Sequence, residues 1–339
     1  MSNLTPKKQL FRLGIILVLI GLIGLAILMS LSTGYSNVTF SDVSRILLGG
    51  GSAKENLILY QFRLPRLVMA ILAGMGLAAS GCLLQSISRN DLADPGILGI
   101  NVGAGMMVVL VYKYLPFISV HYPFALPIAS FFGAFGVALL ICWLSFNRYQ
   151  GFSPMKMILM GIAISAAGNA FILVTSLKLD RATYVSFSTW NIGNIGGTTW
   201  DKILILLPWI LILLPLAFFK SKELNTLALG KDLATSLGVN VGKQQIILLM
   251  IAVALAAAIV SVAGAIGFIG LIAPHIARRL VGASHEFLLP TSILVGALIV
   301  IVSDTLARTI FSPSELPVGI VITVVGAPYF LYLLRKNKN

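Results

Sequence analysis

Between residues 63 and 105 an apolar run broken by Gly74, Gly76 and Gly81 ends in the polar stretch Arg89-Asn90-Asp91-Leu92-Ala93-Asp94-Pro95-Gly96, and a second apolar run follows at once. Lipid gives neighbouring helices no hydrophobic reason to associate, so glycines at short intervals, which let backbones approach, suit a pair of membrane spans. The stretch from Arg89 to Gly96 is too polar for hydrocarbon, where each unsatisfied backbone or charged group is costly. The order therefore predicts two buried spans joined by a short polar turn. With 58% hydrophobic and 10% charged residues and a mean hydropathy of +0.97, the 339-residue chain is too apolar for a soluble domain.

In chain order, Lys7, Lys8 and Arg12 precede an apolar run over 13–31, about the 20 residues a helix needs to cross a bilayer. The run is long for the core of a signal peptide, so it reads as an uncleaved first span. Residues 32–62, with Gly49, Gly50 and Gly51, read as an outer loop. Further spans are predicted over 65–86, 97–114, 124–146, 154–176, 202–219, 244–264, 264–282 with Pro274 inside it, 287–307 and 317–334. Segment 177–201 is too polar to span but carries Trp190 and Trp200, which suit a membrane–water interface, so a short interfacial helix is expected in it. Segment 220–243 is charged and helical in pattern. This ten-span topology puts both termini and 15 of the 24 Lys and Arg residues inside, in the direction of the positive-inside rule. An eight-span alternative treats 264–282 as re-entrant. The net charge of +13 is thus a matter of topology, and no nucleic-acid partner is expected.

The string LQSISRNDLADPGILGINVGA, residues 84–104, resembles the signature of FecCD-type permeases, the membrane subunits of bacterial ABC importers for iron-siderophores, haem and cobalamin. LALGKDLATSLGVNVG (227–242), GAIGFIGLIAPHIAR (264–278) and the carboxyl-terminal run from Ser303 to Leu334 are similarly close, whereas the first 60 residues carry no comparable motif. One departure is Asp91, where the family usually has proline. The resemblance implies an all-α polytopic fold of about ten transmembrane helices, the type II importer permease, as a single domain over 1–339 with a cytoplasmic coupling loop at 220–243. It also implies residence in the bacterial cytoplasmic membrane. The expected partners are a second permease subunit, identical or paralogous, two ATP-binding subunits, an extracytoplasmic substrate-binding protein and a ferric siderophore as cargo. No cofactor is expected.

The resemblance assigns sites as well. Arg63, Arg66 and Arg308 match the arginines with which the family meets its binding protein, and guanidinium groups suit gripping carboxylates. Leu229, Gly230, Ala234, Leu237 and Gly238 match the ATPase-coupling loop, where leucines four apart would give short helices an apolar edge for a groove. Asn90 and Leu92 in one turn, and Ser153, Pro154 and Met155 in another, match the cytoplasmic gate.

No phosphate-binding loop of the form GxxxxGK[ST], no zinc-type His/Cys spacing and no Ser/His/Asp set occurs, so neither ATP hydrolysis nor another catalytic activity is expected of this chain. Cys82 and Cys142 lie in apolar runs and read as small buried hydrophobes, and the scattered His121, His275 and His285 read as structural. Asp304, near the end of an apolar span, is costly unless paired, and Arg308 is the partner in reach. An ion-coupled secondary transporter, the alternative class, would place charge at mid-span, and here there is almost none.

Overall fold

The computed structural model of the protein describes residues 6–33, 40–147, 151–310, 312 and 314–336. Helix dominates because a chain in lipid must satisfy its backbone internally. The amino-terminal part comprises α1 (Pro6–Ser32), α2 (Phe40–Leu47), α3 (Ala53–Leu57), a π-helical turn (Ile58–Arg63), α4 (Leu64–Ser88), a 3-10 turn (Pro95–Leu98), α5 (Ile100–Tyr114), α6 (Pro116–His121) and α7 (Ala125–Ser145). A two-residue antiparallel ladder, β1 (Phe146–Asn147) with β2 (Gly151–Phe152), leads to α8 (Pro154–Ser176) and α9 (Arg181–Asn191). The rest is α10 (Trp200–Phe219), α11 (Ser221–Ala228), α12 (Lys231–Ser236), α13 (Val241–Ala263), α14 (Ile269–Val281), α15 (His285–Thr309) and α16 (Val318–Lys336).

Every predicted span has its helix: α1, α4, α5, α7, α8, α10, α13, α14, α15 and α16. Among the described residues seven helices are long and apolar enough to cross a membrane. Of the rest, α5 has 15 residues and α14 has 13, roughly 20 Å each against about 30 Å of hydrocarbon. They are too short to cross alone, and each is preceded by backbone that is not α-helical, at Arg89–Gly99, which holds the 3-10 turn, or at Gly264–Phe268. Such backbone is tolerated at depth only when protein surrounds it.

The segment preceding α4, expected to be a loop, is partly helical. Ser52 and Glu55 form a reciprocal capping box that starts a helix at Ala53, and it runs unbroken to Ser88. Pro65 sits in this helix without breaking it because the π turn just before it widens the backbone and relieves the clash with the preceding turn. The interfacial helix expected within 177–201 is α9, capped by Asp180, whose carboxylate accepts from the N–H groups of Ala182 and Thr183.

The core is built on α4 and α13, buried almost all round, with α15 laid along α4 as its most extensive partner. Small residues allow this. A Cβ on Gly74 would fall on the Gly296 carbonyl of α15, and one on Gly81 on the Gly270 carbonyl of α14. The glycine spacing of the first apolar run thus marks two backbone-to-backbone contacts on one helix. In contrast, α1, α7, α8 and α10 keep broad apolar faces exposed.

Candidate functional site

Three groups of residues lie along the α4–α15 axis, one at each end and one between. At the end opposite α11, the π turn and α4 bring Arg63 and Arg66 to α15. Arg66 Nε donates to Asp304 at 2.9 Å and Arg66 Nη1 donates to Glu315 at 2.5 Å. Arg308 pairs with the other oxygen of Asp304 at 3.2 Å. Arg308 also donates to Ser30 Oγ at 2.8 Å and to the Ser30 carbonyl, while Arg63 donates to the Leu31 carbonyl. Two of the arginines therefore cap the carboxyl end of α1, where the helix dipole favours cations. Asp304 is 1% exposed, Arg63 and Arg66 8% each, and Glu315 is exposed. The structure thus unites the three predicted arginines, but as a buried cluster rather than an open rim. It also gives Asp304 the predicted partner, Arg308, and a second one, Arg66, which the sequence did not suggest.

Between the ends, the polar turn after α4 is internally satisfied. Arg89 takes the left-handed conformation that stops α4. Asn90 Oδ1 accepts from the Leu92 N–H at 3.0 Å, and Asp94 Oδ1 accepts from the Gly96 N–H at 2.7 Å, capping the 3-10 turn. Asp91 pairs with Arg278 of α14 across two partly exposed side chains. The extra charge at this family-proline position is therefore matched. Leu92 and Asp94 face a cavity of about 540 Å³, whose other walls include Ser165 and Asn169 of α8 and Phe268 at the start of α14. Asn169 is exposed midway along a span. An uncovered amide suits a water-filled passage and not lipid.

The two predicted gate turns stand at different levels of α8, the first against its middle and the second at its start. The 3-10 turn packs on α8, where Gly99 faces Ser165, roughly 16 Å along the helix from its start. Ser153 and the exposed Met155 stand at that start, and the Pro154 side chain lies outside the described residues. Leu92 lines the cavity and Asn90 shapes the turn. Ser165, Asn169 and Asp94 are the polar lining residues that sequence reading missed. The one available signal was a lone Asn inside the apolar run of α8.

At the other end, α11 and α12 are two short helices parted by Gly230 at φ +117°, and α12 closes at Gly238 with φ +81°. Both values favour glycine. Ala234 is fully buried, with Leu224 and Leu227, and anchors the pair, whereas Leu229, Leu233 and Leu237 are 58%, 58% and 65% exposed. The five predicted coupling residues are thus two turn glycines, one anchor and two members of an uncovered leucine edge. Free apolar side chains in a row at a charged end of the molecule mark a contact surface. Arg89 Nη2 donates to the Leu227 carbonyl at 3.0 Å and ties the polar turn to this loop.

Short helices around a mainly apolar cavity that carries three polar side chains, Asp94, Ser165 and Asn169, set in a bundle of membrane-length helices with an uncovered leucine edge at one end, are the architecture of a multi-pass membrane permease. The chain belongs to the FecCD transport family, whose model matches residues 20–336. The match begins well before Arg63, where the recognisable motifs start. The chain is similar to the iron(3+)-hydroxamate import system permease protein FhuG of Bacillus subtilis, 43% identical over 93% of this chain and 94% of the relative. It is also similar to the Fe(3+)-citrate import system permease protein YfmE of the same organism, 40% identical over 99% and 98%, and to the hemin transport system permease protein HmuU of Yersinia pestis, 35% identical over 93% and 95%. Among solved structures, an inward-facing metal-chelate type ABC transporter superposes with a TM-score of 0.82 at 29% identity, covering 96% of this chain and 99% of that one. Membership makes this chain a membrane permease of the ABC-importer class and not its catalytic subunit.

Proposed function

We propose that the chain is the permease subunit of an ATP-driven importer that carries an iron(III)-siderophore, delivered by an extracytoplasmic binding protein, through a passage enclosed with a second permease subunit. The uncovered edge of Leu229, Leu233 and Leu237 carries this reading, because it suits a groove on a separate ATPase. An ion-coupled transporter has no use for such an edge. The end bearing α11 and α12 is then cytoplasmic, as are both termini, and 1–339 acts as one transmembrane domain. Identity of 43% to an iron-hydroxamate permease against 35% to a hemin permease ranks a siderophore above haem.

Uptake of a radioiron-labelled ferric trihydroxamate, by cells lacking the chromosomal copy and complemented with this chain, tests the substrate. Leu237→Asp places a charge on the edge at little cost to folding, since Leu237 is exposed. It should lower ATPase co-purification and uptake about tenfold or more, as truncating an interface hot spot does. Normal co-purification with normal uptake refutes the coupling assignment. The gate assignments place Asn90 and Leu92 at the inner narrowing of each chain, with Ser153, Pro154 and Met155 as the second turn.

Docking of the binding protein at Arg63, Arg66 and Arg308 takes a specific form here. Arg66 shares Asp304 with Arg308 and holds the exposed Glu315 through a single Nη1 contact. A carboxylate from the binding protein can replace Glu315 without disturbing the buried pair. Glu315→Gln should then tighten docking by roughly 1 kcal/mol or less, the size of an exposed ion pair, with the gain shrinking in salt. Weaker docking in this variant, or docking unaffected by reversal of Arg63 and Arg66 to Glu, removes the assignment.

A further inference from the structure

Residues that no sequence motif singles out meet where α11 passes under α4 and α15. Ser284 stands at the cap position of α15 but makes no side-chain capping bond. The cap comes from another element. Asn225 Oδ1 on α11 accepts from the backbone N–H of His285 at 2.8 Å and lies 2.8 Å from the ring Nδ1 of the same residue. The remaining ring nitrogen, Nε2, is 2.5 Å from Ser86 Oγ on α4. With Oδ1 accepting from both groups, Nδ1 carries a proton, and the single Ser86 hydroxyl proton is shared between Nε2 and the Cys82 carbonyl, which lies 2.7 Å from the same oxygen. His285 is 3% exposed, so these bonds are made in a largely desolvated setting, where each is stronger than in water.

The two helices joined at this point are joined twice more. Gly74 meets Gly296 at the crossing, and Arg66 meets Asp304 at the far end. Helices tied at both ends and in the middle move as one body, here about 37 Å long. On the side of α14 the same junction is looser. A cavity of about 190 Å³ lies there, lined by Ser86 and His285 together with Gln85, Arg89, Asp91 and Arg278, and the links to α14 are the partly exposed Asp91–Arg278 pair and two longer bonds, at 3.2 and 3.3 Å, from Gln85 Nε2 to the Gly270 and Leu271 carbonyls.

We propose that Asn225 is a positioning residue for transport, fixing the ATPase-facing loop to the α4–α15 body through His285 and Ser86. A displacement of α11 is then delivered to α4, and so to the turn at 89–96, instead of being absorbed within the loop. The proposal rests on the importer reading above.

The test uses the complete importer in proteoliposomes with its loaded binding protein and measures ferric trihydroxamate taken up per ATP hydrolysed. Asn225→Leu removes the acceptor and should lower this ratio about fivefold, a typical coupling change for a residue touching neither ligand. Asn225→Asp keeps an acceptor for both N–H groups and should restore the ratio, which a loss of general stability would not. A wild-type ratio in a folded Asn225→Leu importer overturns the proposal. If that variant fails to assemble, spin labels at Lys222→Cys and Leu306→Cys in an otherwise wild-type importer decide the matter. Their separation should hold to within about 2 Å between nucleotide-free and ATP-bound states, less than an ordinary interfacial helix shift, and a larger change overturns the shared body. An absence of chelate uptake by the wild-type importer refutes the substrate reading instead, while the label separation still tests the link.

Discussion

Asp304 shows what one carboxylate does among buried cations. It is enclosed by Arg66 and Arg308 and meets no water. Such a cluster adds little net stability, because desolvating the charges offsets their attraction, yet removing one member strands the others. Asp304→Asn should therefore cost about 3–5 kcal/mol, read as a large fall in the thermal unfolding temperature in detergent. Arg45 also holds two carboxylates, Asp42 and Glu55, but its side chain is 51% exposed. Asp42→Asn should change stability by roughly 1 kcal/mol or less. Equal effects at the two sites would mean that the cluster around Asp304 is wetter than its geometry shows. Asp94 belongs to a third kind of site, a cap that also faces a cavity. Its bond to the Gly96 N–H explains its presence without any role in the passage, so Asp94→Asn, which keeps the acceptor, should fold as well as wild type.

At the scale of elements, the fold depends on where backbones touch. The Gly81 contact with Gly270 joins a full-length helix to a short one, and through Pro95, which also packs on Gly270, it reaches the 3-10 turn. Neither backbone can yield to an added methyl. Gly81→Ala should destabilise by about 1–3 kcal/mol or more, the usual range for overpacking a closed site. Gly14→Ala on α1 meets nothing within 4 Å, and should be neutral or slightly stabilising, since alanine is the better helix former. Expression and detergent melting of the pair check this, and a neutral Gly81→Ala would mean that α4 and α14 are further apart than described. The same crowding explains why the chain breaks helix where it does. The 3-10 turn and the bend at Gly264–Phe268 flank one cavity, and shortening α5 and α14 makes room for it between helices that otherwise close together.

For the whole molecule, an exposed apolar helix face has two readings, lipid or a second subunit. Hydropathy does not separate them, but polar residues do. On α8 the face carrying Ser165 and Asn169 opens on the cavity with Leu92, and under the proposed function this side of the chain faces the passage. A cysteine at Leu92 should react with a water-soluble maleimide at a rate that changes with the nucleotide bound by the ATPases. A cysteine at Leu211 on the apolar face of α10, 63% exposed, should stay unreactive in every state. A rate at Leu92 indifferent to nucleotide removes it from the gate.

The sequence by itself determined the class of fold, the ten helices, the polar turn and the leucine edge. All of these follow from local properties: apolar runs of bilayer length, glycines in a charged segment, leucines four apart along it. The resemblance of its motifs to one transport family was legible for the same reason, since those motifs are contiguous. Tertiary structure alone decided which distant residues meet. Arg66 and Asp304 are 238 positions apart, and Asn225 and His285 are 60. Arginine at a proline reads equally well as a lipid anchor, a docking group or half of a buried pair, because a side chain's cost in hydrocarbon depends on a partner that periodicity does not name. His285 reads as a solitary histidine for the same reason. Its role comes from an uncapped helix start, a neighbouring helix and a loop converging at one point, and that convergence is a property of packing in three dimensions.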